Sequence, residues 1–210
     1  TGVGFEPDLV WNKIRTGTNW HQLYDQVRGA NKAVFSNEAY VEYTYSGGVQ
    51  SFDSDGFTVG NDANSTLNVT GSTYVTWNWK ANGSGSSNTD GSINTTATSA
   101  NTTAKFSIST YTGTGSNATI GHGLGVAPEL ILLRNRGVGD PWAVLAMTGG
   151  MDATDYLVLN TTAAVADDSA YWNDTAPTST VFSIGTSHSV NASTETYVAY
   201  CFASVEGFSK

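Results

Sequence analysis

A catalyst or receptor needs side chains that can attack, titrate, ligate or stack, and few in this chain are suitably spaced for any of these. Cys201 stands between Tyr200 and Phe202 with no histidine at dyad or metal-ligand spacing, so it reads as a small buried hydrophobe rather than a nucleophile. His21, His122 and His188 form no i, i+2 or i, i+4 pair, the spacings that bring two imidazoles onto one zinc ion. His122, inside GHGLG, belongs to a turn. A glycosidase needs two facing carboxylates, but Asp53 and Asp55 flank a turn, and Asp167 and Asp168 lie in a polar loop with Asp174 beyond. DSDG lacks the remaining ligands of a calcium loop, so these acids read as turn formers, with a weak calcium site as the alternative. The glycine clusters GHGLG and GTGSN lack the GxGxxG spacing of a nucleotide site, and no GxSxG or HExxH occurs. The expectation is no enzyme, no catalytic residue, no metal and no cofactor. Trp20, Trp142 and Trp172 lie near turns, where an indole face can stack on a sugar; they are the candidate glycan contacts, against core packing as the commoner fate of tryptophan.

The elements that would position these residues follow from composition. Of 210 residues, 91 are Thr, Ser, Asn or Gly, and only 13% are charged, about half the usual share. A disordered polar chain lacks aromatics because it buries nothing; this one has 6 Trp, 10 Tyr and 8 Phe. Short neutral polar residues suit turns and the outer faces of strands, so an all-β protein is expected. A net charge of −9 gives no footprint for nucleic acid. Apolar runs such as Leu130–Leu133 are too short for a bilayer, and the chain opens without a signal-peptide pattern. One cysteine excludes an intrachain disulfide framework.

The chain repeats itself. GFEPDLVWNKIR (Gly4–Arg15) is answered by GVAPELILLRNR (Gly125–Arg136), DGFTVG by VFSIG, and LNVTGSTYVTWNWKA (Leu67–Ala81) by SVNASTETYVAYCFA (Ser189–Ala203). Pro7 and Pro128 are 121 residues apart, Gly60 and Gly185 125, and Tyr74 and Tyr197 123, a drift of loop size. Two tandem β-sandwich or jelly-roll-like modules are expected, at 1–81 and 105–210, joined by the Asn/Ser/Thr/Gly-rich stretch 82–104, which reads as a flexible linker. Strands are expected at Asp8–Arg15, Trp20–Tyr24, Ala33–Asn37, Phe57–Val59, Thr73–Lys80, Lys105–Gly113, Glu129–Arg136, Trp142–Met147, Tyr156–Asn160 and Thr196–Ala203, with at most one helical turn near Tyr24–Gly29. Module one has no counterpart to the strand KFSISTYTG (Lys105–Gly113), and VEGFSK (Val205–Lys210) stops where another would start. Both ends read as cut from a longer array.

GHGLGVAPELILLRNR, YLVLNTTAAVADDSAYWNDTAPTSTVFSIG and VNASTETYVAYCFASVEGFSK resemble a repeat domain of uncharacterised function found in virion structural and tail-fibre-like proteins of marine and aquatic tailed bacteriophages. TGVGFEPDLVWNKIR, YDQVRGANK, SFDSDGFTVG and TYVTWNWKANGS are similar to its companion repeat. The resemblance implies a non-enzymatic virion protein, part of a tail fibre, spike or capsid-surface appendage that aids adhesion to host-surface glycans. Its implied partners are other virion chains, with a homotrimer favoured, and its location is the virion surface. The alternatives are a secreted carbohydrate-binding or adhesin module of a cellular organism and a depolymerase tail spike. Sequons such as those at Asn64, Asn68 and Asn191 would be glycosylated only in the former.

Overall fold

Strand β1 (Leu9–Ile14) is apolar on both faces, and both are buried: Leu9 and Trp11 look one way and Val10 the other. The computed structural model describes residues 2–61, 67–207 and 209; the sequon at Asn64 and the ends Thr1, Phe208 and Lys210 lie outside them. After β1 come β2 (Gln22–Asp25), β3 (Lys32–Phe35), β4 (Tyr43–Thr44), β5 (Val49–Asp53), β6 (Gly56–Val59) and β7 (Tyr74–Trp79). Then follow β8 (Ala97–Asn101), β9 (Phe106–Thr112), β10 (Ala118–Gly121), β11 (Leu130–Asn135), β12 (Ala143–Ala146), β13 (Asp155–Val158), β14 (Ala166–Asp167), β15 (Val181–Ile184) and β16 (Thr196–Phe202). Two single-turn helices, α1 (Ser169–Trp172) and α2 (His188–Asn191), start where the side chains of Asp168 and Ser187 cap their first amides. The one turn expected near Tyr24–Gly29 is a single i→i+4 turn, Gly29 N to Asp25 O at 3.1 Å, that does not extend into a helix. The Asp25 carboxylate accepts from the Arg28 amide at 2.8 Å, as an N-cap does.

The protein is all-β, with antiparallel sheets throughout. A five-stranded sheet runs β4-β3-β2-β1-β7, a seven-stranded sheet β14-β13-β12-β11-β16-β9-β8, and β5-β6 and β10-β15 are two-stranded. Period-two alternation divides the apolar side chains among three cores. Val10, Tyr24, Ala33 and Phe35 pack under the β5-β6 hairpin. Ile131, Leu133, Tyr197, Ala199 and Cys201 pack under β10-β15 with Trp172 of α1 and Val190 of α2. Between the large sheets, Leu9, Leu23 and Val34 meet Leu132, Trp142, Val198 and Tyr200. The large sheets are therefore back to back, each capped on its far side by a two-stranded antiparallel sheet, the β5-β6 hairpin on one and the sequence-distant pair β10-β15 on the other.

The stretch 82–104 is no free tether. It supplies β8 at the edge of the seven-stranded sheet, paired from Ala97↔Thr110 to Asn101↔Phe106. Hydroxyls hold it: the Asn82 amide donates to Ser99 Oγ at 2.7 Å, the Asn88 amide to Thr95 Oγ1 at 2.8 Å, and Thr98 Oγ1 lies 3.0 Å from Ser109 Oγ. Thr95 and Ser99 are buried. A strand held by hydroxyls rather than apolar side chains has no hydrophobic period, which is why composition alone suggests a linker.

A polar seam crosses the interface of the large sheets. The buried Arg28 guanidinium donates to Asp25 Oδ2 (2.6 Å), Glu42 Oε2 (3.0 Å), the carbonyls of Lys32 and Leu23 (each 3.0 Å) and the Tyr200 hydroxyl (3.2 Å). Tyr200 in turn donates to Asp25 Oδ2 at 2.7 Å. Arg136 grips Glu42 from the other sheet through Nε at 2.8 Å and Nη2 at 2.9 Å. Burial alone would raise the Glu42 pKa, but the hydrogen bonds and charges of Arg136 and Arg28 win and lower it to about 2.

Two outcomes follow. Tyr200→Phe leaves Asp25 and Arg28 each one partner short, so the urea midpoint falls by the equivalent of about 1–3 kcal/mol; an unchanged midpoint contradicts the seam. Glu42 titrates below its ordinary value of 4.5, so its contribution is complete above that pH and is lost as pH falls toward about 2. Urea midpoints measured across this window decline in the parent chain and decline less in Glu42→Gln; equal slopes contradict the ion pair.

Candidate functional site

The segment between β3 and β4 is tied down from the opposite sheet. Arg134 of β11 donates through Nη2 to the Tyr40 carbonyl, Glu42 is held by Arg28 and Arg136, and the Glu42 amide donates to the Arg136 carbonyl at 2.9 Å. Arg134 itself lies over the Trp142 ring, 5.9 Å from its centroid, and burial lowers its pKa to about 10, with Asp140 opposing. Nearby, the Trp142 indole donates to the Phe35 carbonyl at 2.7 Å. On the other side, the His21 amide donates to Asn37 Oδ1 at 2.7 Å and the Ser36 amide to the His21 carbonyl at 2.9 Å, fixing the loop that carries Trp20.

These ties hold open a groove of about 370 Å³ lined by Trp20, Phe35, Tyr40, Val41, Tyr43 and Tyr45, with Gln22 at its base. The rings meet edge to face: Trp20 on Phe35 at 5.1 Å and 64°, and Trp20 on Tyr40 at 5.4 Å and 71°. Tyr43 and Tyr45 lie 6.0 Å apart. Trp20 is 40% exposed, Tyr40 52% and Tyr43 57%, so the apolar faces are presented to solvent rather than spent in the core. No carboxylate or cationic side chain is among the lining residues. Such a surface has the apolar ring faces and neutral lining that suit stacking by a flat, amphipathic ligand.

A second, more polar cavity of about 330 Å³ lies between the sheets, lined by Trp11, His21, Ser36, Asn37, Asn160 and Thr161 among others. Burial, and secondarily the charge of Lys13, lowers the His21 pKa.

Of the three candidate tryptophans, the structure puts Trp20 on the surface and the other two inside. Trp142 belongs to the core between the large sheets and Trp172 to the core under β15, both essentially without exposure, so neither indole face can meet a glycan. Both lie near turns in sequence, but each closes a core. Tyr40, Tyr43 and Tyr45 were not singled out by sequence; three tyrosines within six residues are the signal that marks them. Cys201 is buried, and burial pushes its thiol up to about 12. His122 is buried with Nε2 3.2 Å from the Thr178 carbonyl and Nδ1 accepting from the Leu124 amide, a turn-bracing role. Asp53 accepts from Ser51 and Thr58, and Asp55 from the Gly4 amide, as turn acids do. Among the described residues no three His, Cys, Asp or Glu side chains group as metal ligands, and no helix is long and apolar enough to cross a membrane.

A family model described as a domain of unknown function, DUF7483, matches residues 1–210. The chain belongs to this family. No curated protein and no solved structure matches the chain, so DUF7483 membership brings no activity with it, and the site stands on its own geometry.

That geometry sets an optical test. Trp20→Phe removes an acrylamide-quenchable share of the tryptophan fluorescence, whereas Trp142→Phe and Trp172→Phe remove only the shielded share. Loss of quenchable emission on replacing either buried indole contradicts the placement.

Proposed function

We infer that this chain is a non-enzymatic structural module of a bacteriophage virion, part of a tail fibre, spike or capsid-surface appendage, whose aromatic groove contacts neutral host-surface glycans. The single observation that carries the adhesive part is the groove itself: Trp20, Tyr40 and Tyr43 face solvent, Trp20 and Tyr40 meeting edge to face, walled by backbone held from the opposite sheet, with no charged lining. The virion part is supported by the resemblance of the sequence to repeats of tailed-phage structural proteins, which in such proteins occur in longer chains. Other virion chains, in a homotrimer, are the proposed partners, and the virion surface the proposed location.

A build of two related modules, each a sheet capped by a two-stranded sheet, belongs to the same reading. Both large sheets contain the order that places β1 or β11 between its hairpin partner and the last strand: β4-β3-β2-β1-β7 and β14-β13-β12-β11-β16. Leu9 pairs with Trp79 as Leu130 pairs with Phe202, and Leu9 with Asp25 as Leu130 with Ala146. Flanking bonds correspond too: Asp8 N to Trp79 O and Glu129 N to Phe202 O are both 2.8 Å, as are Arg15 N to Thr73 O and Arg136 N to Thr196 O. These correspondences use the spacings of 121 and 123 residues seen in the sequence, and they support the repeat reading, with β8 of the stretch 82–104 added to the edge of the second sheet.

Titration of the chain with neutral oligosaccharides from bacterial surface polysaccharide, followed by calorimetry, is the direct test. Trp20→Ala and Tyr43→Ala each weaken binding at least about tenfold, equivalent to about 1.4 kcal/mol, while the unfolding midpoint stays near that of the parent. Absence of any glycan binding overturns the adhesive reading, and release of reducing ends from the polysaccharide overturns the non-enzymatic one.

A further inference from the structure

The outer edge of β7 carries no strand among the described residues. In an antiparallel ladder, successive residues direct their backbone groups to opposite neighbours. Arg15 N bonds Thr73 O and Asp8 N bonds Trp79 O, so Thr73, Val75, Trp77 and Trp79 face β1. Tyr74, Thr76 and Asn78 then direct their amides and carbonyls away from it. β7 is the terminal strand of its sheet, and among the described residues no partner is found for those outward amides. Trp77 on this strand is 47% exposed and Trp79 half-buried, and the middle of the strand carries neither a proline nor a lysine, the usual guards of a free edge.

The other half of the chain shows what fills such an edge. β16, which corresponds to β7 in register, is paired on one side to β11 and on the other to β9, from Thr196↔Thr112 to Phe202↔Phe106. Ala203 N bonds Lys105 O and Gly113 N bonds Glu195 O, so Tyr197, Ala199 and Cys201 are the residues facing β9. Their counterparts are Tyr74, Thr76 and Asn78. Tyr200, the counterpart of Trp77, is fully buried there. β9 is thus the one element that makes β16 a central strand, and nothing in the first half of the described chain takes its place.

We propose that the β7 edge accepts, antiparallel, a strand with the alternating pattern of Phe106–Thr112 supplied by a second polypeptide. In the β9 register, the Phe106 position of the incoming strand faces Trp79, the Ile108 position faces Trp77 and the Thr110 position faces Val75, by correspondence with Phe202, Tyr200 and Val198. Backbone bonds provide the affinity and the apolar alternation the register. The inference rests on the repeat reading and not on the glycan groove, which lies toward β4 at the opposite end of the sheet.

The test uses the 210-residue chain and a synthetic peptide, KFSISTYTG, the sequence of Lys105–Gly113. Binding is followed by NMR exchange protection of individual amides and by acrylamide quenching of Trp77. The expected result is new protection at Tyr74, Thr76 and Asn78 and reduced quenching of Trp77. Thr76→Pro in the chain removes one outward donor while leaving the β1 ladder intact, and weakens binding at least about tenfold. Ser109→Pro in the peptide, which deletes a donor facing the docked strand and requires no folding of the peptide, does the same. Peptide binding that leaves these three amides unprotected overturns the proposal, as does a scrambled peptide binding equally well, which would mean an open edge without repeat-specific register. No binding by the peptide alongside intact glycan binding overturns this inference and leaves the adhesive reading standing.

Discussion

The polar seam joining Arg28 and Asp25 to Tyr200, and Glu42 to Arg136, is the constraint on which the arrangement of the two large sheets depends. A guanidinium has five N–H donors in a fixed fork, and here five acceptors receive them: two carboxylates, two backbone carbonyls and the Tyr200 hydroxyl. Burying a charge is costly unless every donor is answered. Four of these acceptors lie on Arg28's own side, and the opposite sheet is held through Tyr200, which bonds both Arg28 and Asp25, and through Arg136 on Glu42. Burial alone would lower the Arg28 pKa, but the charges around it, Asp25 foremost, raise it. Removing one partner of such a buried pair generally costs about 3–5 kcal/mol, far more than a surface ion pair contributes. Apolar contact between Leu9, Leu23, Leu132 and Val198 supplies the adhesion of the sheets; the seam supplies the position.

That position reaches the candidate site through Glu42. The groove residues Tyr40, Val41 and Tyr43 sit on a segment with almost no ladder of its own, since β4 pairs with β3 through only Lys32↔Thr44 and Ala33↔Tyr43. What makes this segment a wall is its attachment to Arg134 and Arg136 of the opposite sheet. A segment held that way leaves Tyr40 and Tyr43 more than half exposed while Trp20 and Tyr40 rest edge-on against Phe35, a preorganised surface. The site is local to one sheet but rigid because of the other.

The strands were largely legible in the sequence because apolar residues reveal them. Leu9–Ile14 and Leu130–Asn135, continuous apolar runs after Pro7 and Pro128, lie within the expected limits, and Thr196–Phe202 appears with its alternation. What depends on polar atoms was not legible. β8 is built from Thr, Ser, Ala and Asn and is held by hydroxyls, a pattern that composition equates with a linker. The seam joins Asp25 to Tyr200 and Glu42 to Arg136 across 175 and 94 residues, distances over which no spacing rule operates. For the site, proximity to turns singled out Trp20 together with Trp142 and Trp172, because it does not tell a turn that closes a core from one that opens to solvent. The tyrosines at 40, 43 and 45 keep no single period, and the opposite half's arginines hold the segment that carries them.

Native-state hydrogen exchange at the Glu42 amide tests the central claim most directly. This amide donates to the Arg136 carbonyl from a short connecting segment, where ordinary loop amides open locally and exchange fast. If the seam fixes the sheets and the groove wall together, the Glu42 amide exchanges only with global unfolding, at the rate of core amides such as Leu132. Exchange orders of magnitude faster than Leu132 would show that the segment opens independently, and would contradict the account.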